Sequence, residues 1–211
     1  MIKIFHSNGD TNYSNWIPNS EAVTTIEEAD LVLFTGGEDV SPEYYDDVKH
    51  DTTYSNGLRD IKEIDMFDKA ILLKKPILGV CRGSQLCCVM AGGKLIQDQN
   101  NPGFIHNMKT YDGLEIPVTS THHQAQYPFN LPSEEYDVIG WSENLIHYRK
   151  SGDDSELQVD VDCEVVHYPK IKALAIQPHP EMLVNHNGSV DREYRESVQW
   201  FRNMLNLKLG I

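Results

Sequence analysis

A cysteine flanked by glycines is the pattern in this chain that points most directly to covalent chemistry. The segment Gly79-Val80-Cys81-Arg82-Gly83 joins an apolar run to a stretch of small and apolar residues. This order of strand, sharp turn and helix is typical of a nucleophile elbow. Glycine is favoured two positions from the nucleophile, because the backbone of such a turn is strained and crowded. The start of a helix and the neighbouring Arg82 would both favour the thiolate that attacks a carbonyl carbon.

The same five residues also fit a second interpretation. Free cysteine is among the residues most often buried as a small apolar side chain, so the pattern alone does not distinguish a nucleophile from a core residue. Cys87 and Cys88 lie within the following helix, where we expect packing rather than chemistry. For Cys81, the presence of a proton-transfer partner must decide.

A histidine and a glutamate further along the chain could be that partner. The segment Gln177-Pro178-His179-Pro180-Glu181 follows a short apolar run, and its prolines restrict the loop. Imidazole can accept the thiol proton and return a proton to a leaving amine near neutral pH, and a carboxylate can fix its tautomer. A His-Pro-Glu sequence alone is more often a turn, but together with Cys81 it predicts a triad of Cys81, His179 and Glu181.

The elements that would position these residues alternate between strands and helices. Strand-like segments cover residues 1–6, 29–34, 76–80, 92–97, 163–168 and 173–177. Helix-like segments cover residues 60–75 and 82–91 and a last helix with a buried stripe of Tyr194, Val198, Phe201 and Leu205. Residues 99–150 predict loops mixed with short strands. The alternation predicts an α/β sheet protein, and 211 residues without a repeat or a long linker predict one domain over residues 1–211.

The helix-like segment at residues 60–75 has its own start signal. Asp60 and Glu63 are three residues apart, which resembles a capping box. Ile61, Ile64, Phe67 and Ile71 follow at helical spacing. We therefore expect a helix that begins at Asp60 and ends near Lys74 and Lys75.

Composition excludes several other classes of function. The net charge of −14 disfavours binding to nucleic acid or to anionic lipid, and no segment is long and apolar enough to span a membrane. The first residues lack the features of a secretory signal, so we expect a cytoplasmic protein with four reduced cysteines. No metal site is predicted, and we expect no cofactor, because the histidines lack the spacing of a metal motif. These histidines are His50, His106, His122, His123 and His186.

Taken in order, several segments resemble the class I glutamine amidotransferase superfamily, and most closely its branch of γ-glutamyl-γ-aminobutyrate hydrolases and related γ-glutamyl hydrolases. The segments are Thr35-Gly36-Gly37-Glu38-Asp39-Val40-Ser41-Pro42, Arg59-Asp60, residues 76–85, Gly92-Gly93, Thr121-His122-His123-Gln124-Ala125 and residues 177–181. The resemblance implies a flavodoxin-like three-layer α/β sandwich with a mostly parallel central sheet. It also implies that the Cys-His-Glu triad attacks glutamine or a γ-glutamyl amide and forms a γ-glutamyl thioester, from which water releases glutamate.

The resemblance assigns further residues to the site. The backbone N–H groups of Gly37 and Arg82 would form an oxyanion hole. Gln85 matches the contact to the substrate amide, and His122 and His123 match the loop that holds the glutamyl end. Without the resemblance, Gln85 would be interpreted as a surface glutamine of a helix and the two histidines as a solvated pair in a loop.

Three functional hypotheses remain open at this stage. The first is a stand-alone hydrolase whose only partner is a small molecule, glutamine or a γ-glutamyl amide. The second is a glutaminase subunit that delivers ammonia to a separate synthetase. The third is a catalytically inactive binding protein on the same fold, since a fold does not determine a function.

Overall fold

The computed structural model describes residues 1–100, 103–143, 148–185 and 188–211 and has a large mixed sheet at its centre. Five strands of this sheet are parallel and lie side by side in the order β2-β1-β3-β4-β13. They are β1 (Ile2–His6), β2 (Ser20–Val23), β3 (Leu31–Phe34), β4 (Ile77–Val80) and β13 (Ala173–Ile176). The strands predicted at residues 1–6, 29–34, 76–80 and 173–177 are confirmed, with small changes at their ends.

The remaining strands extend the sheet with antiparallel pairings beyond β13. They are β5 (Lys94–Ile96), β7 (Ile105–Thr110), β8 (Glu115–Thr119), β9 (Ala125–Tyr127), β10 (Asp137–Ser142) and β12 (Asp162–Tyr168). The short strands β6 (Asp98–Gln99) and β11 (Arg149–Lys150) form a separate pair. The region predicted as loops with short strands therefore contains regular strands of five and six residues.

Helices cover both faces of the parallel strands. Helices α1 (Gly57–Leu72) and α2 (Arg82–Met90) pack on one face, and α3 (Arg195–Met204), which continues as one π-helical turn, packs on the other. Side chains alternate accordingly: Leu31 and Leu33 join the core under α3, whereas Val32 and Phe34 join the core under α1 and α2. This arrangement is the predicted three-layer α/β sandwich. No helix in the described part of the chain has both the length and the apolar character needed to cross a bilayer.

The last helix follows the prediction closely. Val198, Phe201 and Leu205 are buried, and Tyr194 is partly buried at the first turn. Trp200 and Met204 also pack into this core. The apolar stripe that repeats every three or four residues thus identified the inward face of α3 correctly.

The predicted start of α1 is wrong. The helix begins at Gly57, and its N-cap is Asn56, whose side chain accepts a hydrogen bond from the Arg59 N–H at 3.3 Å. Asp60 and Glu63 do not cap the helix but are almost fully buried on its inner face. Two acidic residues in the first turns of a helix resemble a start signal, but here both form ion pairs with the buried Arg82.

The predicted apolar face of α1 is also only partly correct. Phe67 is buried and Ile64 is half-buried, but Ile61 and Ile71 are exposed. The inward stripe instead consists of Asp60, Glu63, Phe67 and Ala70. The inner face therefore combines two charges with two apolar residues, which hydrophobic periodicity alone would not predict.

Candidate active site

Three adjacent parallel strands deliver the candidate residues to one edge of the sheet. β4 pairs with β3 on one side and with β13 on the other, and Val80 lies level with Ile176. The loop after β3 contains Gly37, β4 is followed at once by Cys81, and β13 leads to His179. Since the carboxyl ends of parallel strands share an edge, pairing alone brings these segments together.

Cys81 occupies a strained turn between β4 and α2. Its φ of 54° and ψ of −111° are unusual for a residue with a side chain, and it is the N-cap of α2. Its backbone N–H donates to the Ile176 carbonyl at 2.8 Å, which ties the turn to β13. Cys81 is 8% exposed and its thiol is free. The predicted elbow geometry is therefore present.

The two flanking glycines are required by space. A side chain at Gly83 would overlap the backbone carbonyl of Phe34, and one at Gly79 would overlap the backbone carbonyl of Gly83. Backbone atoms cannot move aside as the end of a flexible side chain can. The sequence-based explanation for glycine at these two positions agrees with this crowding.

His179 links the thiol to a carboxylate. Its Nδ1 lies 2.6 Å from Glu181 Oε1, and Cys81 is near enough to act on its pKa. Burial alone would lower the pKa of His179, but the interactions with Cys81 and Glu181 outweigh it and raise the pKa to about 10. The site therefore favours a protonated imidazole, which is the state that can pair with a thiolate.

Two threonines outside the predicted site residues also position His179. Thr119 holds its backbone on both sides: its hydroxyl donates to the His179 carbonyl and accepts from the His179 N–H, both at 3.1 Å. Thr121 Oγ1 lies 2.9 Å from His179 Nε2, the ring nitrogen that is not bonded to Glu181. Thr121 belongs to a motif noted in the sequence, but no role was inferred for it.

Tyr13 is a further neighbour of the site that the sequence did not reveal. Its ring centroid lies 6.1 Å from that of His179, and its hydroxyl packs against Gly36, where it leaves no room for a side chain. Burial, followed by the negative charges of Glu181 and Cys81, raises the pKa of Tyr13 to about 12. Its phenol therefore stays neutral at physiological pH. Tyr13 lies in a short 3₁₀ turn at Thr11–Ser14 without any recognisable motif.

Arg82 does not place its charge beside the thiol. Its guanidinium is 1% exposed and forms ion pairs with Asp60 and Glu63 on α1. Two carboxylates thus compensate this charge inside the protein. The expectation that the Arg82 side chain favours a thiolate is therefore wrong, and the start of α2 is the nearer source of positive potential. The backbone N–H of Arg82 is still the first of the helix, where no carbonyl one turn earlier can accept it.

The residues predicted to contact the substrate differ in how far they are buried. Gln85 and His122 are buried, and both donate to the Gln124 carbonyl, at 3.0 and 2.8 Å. Burial lowers the pKa of His122. Gln85 thus holds the loop that carries His122, and contact of either residue with a substrate stays a prediction.

His123, in contrast to His122, is partly exposed. Its side chain is 38% exposed and lies 3.3 Å from Asp39 and 3.7 Å from Asp98. The hydrogen bond that His123 donates to Asp39 is the main cause that raises the pKa of His123. Of the histidines considered for a metal motif, His186 lies outside the described residues. Within the described ranges, no three His, Cys, Asp or Glu side chains are grouped as a metal site would require.

Comparison with known proteins identifies the family. The sequence model of the family described as Peptidase C26 matches residues 15–127, which include Cys81. Protein NtpR of Enterococcus hirae is 39% identical over 182 residues, or 83% of this chain and 67% of NtpR. The glutamine amidotransferase-like protein YvdE of Lactococcus lactis subsp. lactis is 33% identical over 190 residues, or 86% of this chain and 78% of YvdE.

Solved structures agree on the fold. The structure of PurLQS from Thermotoga maritima matches with a TM-score of 0.57 and 16% identity, over 98% of this chain and 99% of that chain. A glutamine amidotransferase from the same organism matches with a TM-score of 0.53 and 14% identity, over 99% and 89% of the two chains. At such identities the likeness concerns the fold alone. Together with the family match, it shows that the chain belongs to the peptidase C26 family, within the class I glutamine amidotransferase superfamily.

Proposed function

We propose that this protein hydrolyses glutamine or γ-glutamyl amides, with Cys81 as nucleophile, His179 as acid and base, and Glu181 as the group that orients His179. The observation that carries the proposal is that Cys81, in a strained turn at the end of β4, and the hydrogen-bonded pair His179–Glu181 after the neighbouring β13 lie at one edge of the sheet. Membership of a family of amide-cleaving, glutamine amidotransferase-like proteins supports the reaction type. The γ-glutamyl substrate is the finer part of the proposal.

In the first half of the reaction, the Cys81 sulfur attacks the carbonyl carbon of the γ-carboxamide. The carbonyl oxygen becomes an oxyanion, and His179 donates its Nε2 proton to the nitrogen that leaves as ammonia or an amine. The carbon–nitrogen bond breaks and a γ-glutamyl thioester remains on Cys81. The raised pKa of His179 supports this step, because the ring already carries the proton that the leaving group needs.

In the second half, neutral His179 takes a proton from water, and the resulting hydroxide attacks the thioester. Breakage of the carbon–sulfur bond releases glutamate and restores the thiolate beside the protonated ring. Glu181 stabilises the positive ring each time it forms. Both halves pass through an oxyanion, for which the backbone N–H groups of Gly37 and Arg82 are the proposed donors, and one donor is worth about 3 to 4 kcal/mol in such sites.

Purified protein should be tested with glutamine and a panel of γ-glutamyl amines while released glutamate is measured. We expect release from at least one compound, and its loss in Cys81→Ala and in His179→Ala. Cys87→Ser is the matched control, because it alters a buried cysteine on the adjoining helix. Release that persists in Cys81→Ala would contradict the proposed nucleophile.

The same assay addresses the two other hypotheses. A glutaminase subunit would be nearly silent alone and would release glutamate from glutamine when a synthetase partner is added. An inactive binding protein would stay silent, and its Cys81 would be alkylated only at the slow rate of an ordinary thiol. Full turnover of a γ-glutamyl amine by the isolated chain would reject both.

A further inference from the structure

Arg59, on α1, contacts the loop that follows β3. The Nη2 of Arg59 donates to the Gly36 carbonyl at 2.8 Å, and it also lies 3.3 Å from the Thr35 carbonyl. Its Nη1 donates to Glu38 at 2.8 Å. One planar guanidinium thus holds the loop immediately before and after Gly37, which a lysine ammonium cannot do with the same geometry.

Gly37 provides the space that this guanidinium occupies. Its φ of 142° lies in the region that favours glycine, and a side chain there would overlap Arg59 Nη1. The glycine and the arginine are therefore a matched pair. The resemblance assigns only the backbone N–H of Gly37 to the site, and the structure adds a close approach of Gly37 to Arg59.

The next residue of α1 fixes the far end of the same loop. Asp60 Oδ2 accepts from the Ser41 N–H at 3.2 Å and from the Ser41 hydroxyl at 2.5 Å. Between these two anchors, the Asp39 N–H donates to the Tyr54 carbonyl at 3.0 Å. The segment that carries Gly37 is thus held at both ends by consecutive residues of α1.

Glu63 connects Arg59 to Arg82, the residue that follows Cys81. Its Oε1 lies 3.3 Å from Arg59 Nε, and its other carboxylate oxygen forms an ion pair with the buried Arg82 guanidinium. Arg82 also pairs with Asp60. The two arginines thus share Asp60 and Glu63, and Arg59 also pairs with the half-exposed Glu38, in a mostly buried cluster whose two cations lie behind Gly37 and at the start of α2.

We infer that Arg59 is a positioning residue that orients the Gly36–Gly37 backbone for the oxyanion, and that Glu63 couples it to Arg82. The inference rests on the proposed function, in which the N–H groups of Gly37 and Arg82 receive the oxyanion. Removing Arg59 would free the loop and leave the acidic side of the cluster in excess. It would leave the hydrogen bonds of His179 with Glu181 and Thr121 in place.

The experiment compares two reactions of Cys81 that differ in their need for an oxyanion hole. Acylation by p-nitrophenyl acetate passes through a tetrahedral oxyanion and releases p-nitrophenolate. Alkylation by iodoacetamide displaces iodide at a saturated carbon and forms no oxyanion. In Arg59→Met, we expect acylation to slow on the order of a hundredfold, as for loss of one oxyanion donor, and alkylation to change by less than about twofold because Arg59 does not contact Cys81 or His179.

Two further variants distinguish a positioning role of Arg59 from a purely structural role. Arg59→Lys keeps the charge of the cluster but lacks the planar fork, so it should remain slow in acylation while melting near the wild-type temperature. Lys62→Met removes an exposed cation from the same helix and should leave both reactions unchanged. Cys81→Ala defines the background of both assays.

Equal slowing of acylation and alkylation in Arg59→Met would overturn the inference, because it would mean general damage to the site. Wild-type acylation in Arg59→Met or full recovery in Arg59→Lys would also overturn it. The assay does not depend on the physiological substrate. If the wild type is acylated at Cys81 but releases no glutamate from any amide, the proposed substrate class is wrong, and the inferred role of Arg59 is still decided by the acylation rates.

Discussion

Replacing Glu181 with glutamine removes the charge that holds His179 and preserves the shape of the side chain. Glu181 Oε1 lies 2.6 Å from His179 Nδ1, and His179 is almost fully buried. Solvent therefore screens the pair only weakly. The variant tests whether the carboxylate stabilises a positive ring or merely fills the turn.

The size of the effect follows from the pKa of His179. Burial opposes protonation, and the interactions with Cys81 and Glu181 nevertheless raise the pKa from 6.5 to about 10. This rise corresponds to about 5 kcal/mol in favour of the protonated ring. Because the hydrogen bond to Glu181 is one of the causes of the rise, loss of the Glu181 charge should lower the pKa of His179 and remove part of this free energy.

NMR titration of histidines labelled with ¹⁵N measures this pKa directly. The His179 signal is identified as the one that is missing from spectra of His179→Ala. In the wild type, this signal should titrate near pH 10. In Glu181→Gln, it should titrate at a clearly lower pH, and glutamate release should fall at least about a hundredfold, because the ring loses its orienting partner. Glu196→Gln, which alters an exposed residue of α3, is the matched control and should change neither value.

The stability of the two proteins should diverge in a defined pH range. A pKa that is higher in the folded state stabilises the fold fully below about pH 6.5, and this contribution disappears as the pH rises through the folded value. The advantage of the wild type over Glu181→Gln in urea unfolding should therefore be largest below about pH 6.5 and disappear as the pH rises through about 10. An unchanged His179 pKa in Glu181→Gln, or a wild-type value near 6.5, would refute the reasoning.

Four other substitutions test separate parts of the site. Gly83→Ala should lower the free energy of unfolding by about 3 kcal/mol, measured in urea, because the new methyl group meets the Phe34 carbonyl. Asp60→Asn should cost about 3 to 5 kcal/mol in the same measurement, because it leaves the buried Arg82 short of one charge; a loss below 1 kcal/mol would contradict the balanced cluster. Thr121→Val should reduce kcat about fivefold without a change in Tm, because His179 Nε2 loses one hydroxyl partner worth about 1 kcal/mol. Gly37→Ala should slow acylation of Cys81 as much as Arg59→Met does, since a methyl group displaces the guanidinium, and a wild-type rate would contradict their pairing.

Local sequence patterns predicted the parts of this site that depend on short stretches of chain. The strand ending at Val80 and the helix starting at Arg82 place Cys81 correctly, and the crowding at Gly79 and Gly83 has the predicted cause. The prolines around His179 fix a turn that brings its Nδ1 to Glu181. Each of these features involves neighbours within a few residues, so composition and order were sufficient.

Contacts between distant segments were not accessible in the same way. Tyr13 reaches the backbone of Gly36, and Thr119 reaches the backbone of His179, across 23 and 60 residues. Tyrosine and threonine at these positions also suit a turn and a strand, so nothing local distinguishes them from ordinary structural residues. Only the parallel order β3-β4-β13 brings their segments to one edge.

The acidic pair on α1 shows why one pattern can support two incompatible interpretations. Asp60 and Glu63 have the spacing of a capping box, and in the first turns of a helix such residues are usually solvated. Their actual partner, Arg82, lies on another helix, so the choice depends on a packing contact that periodicity does not encode. Burial of two carboxylates is costly unless cations compensate them, and both compensating cations border a proposed oxyanion donor. Asp60 and Glu63 therefore link the stability of the α1 packing to the geometry of the proposed oxyanion hole.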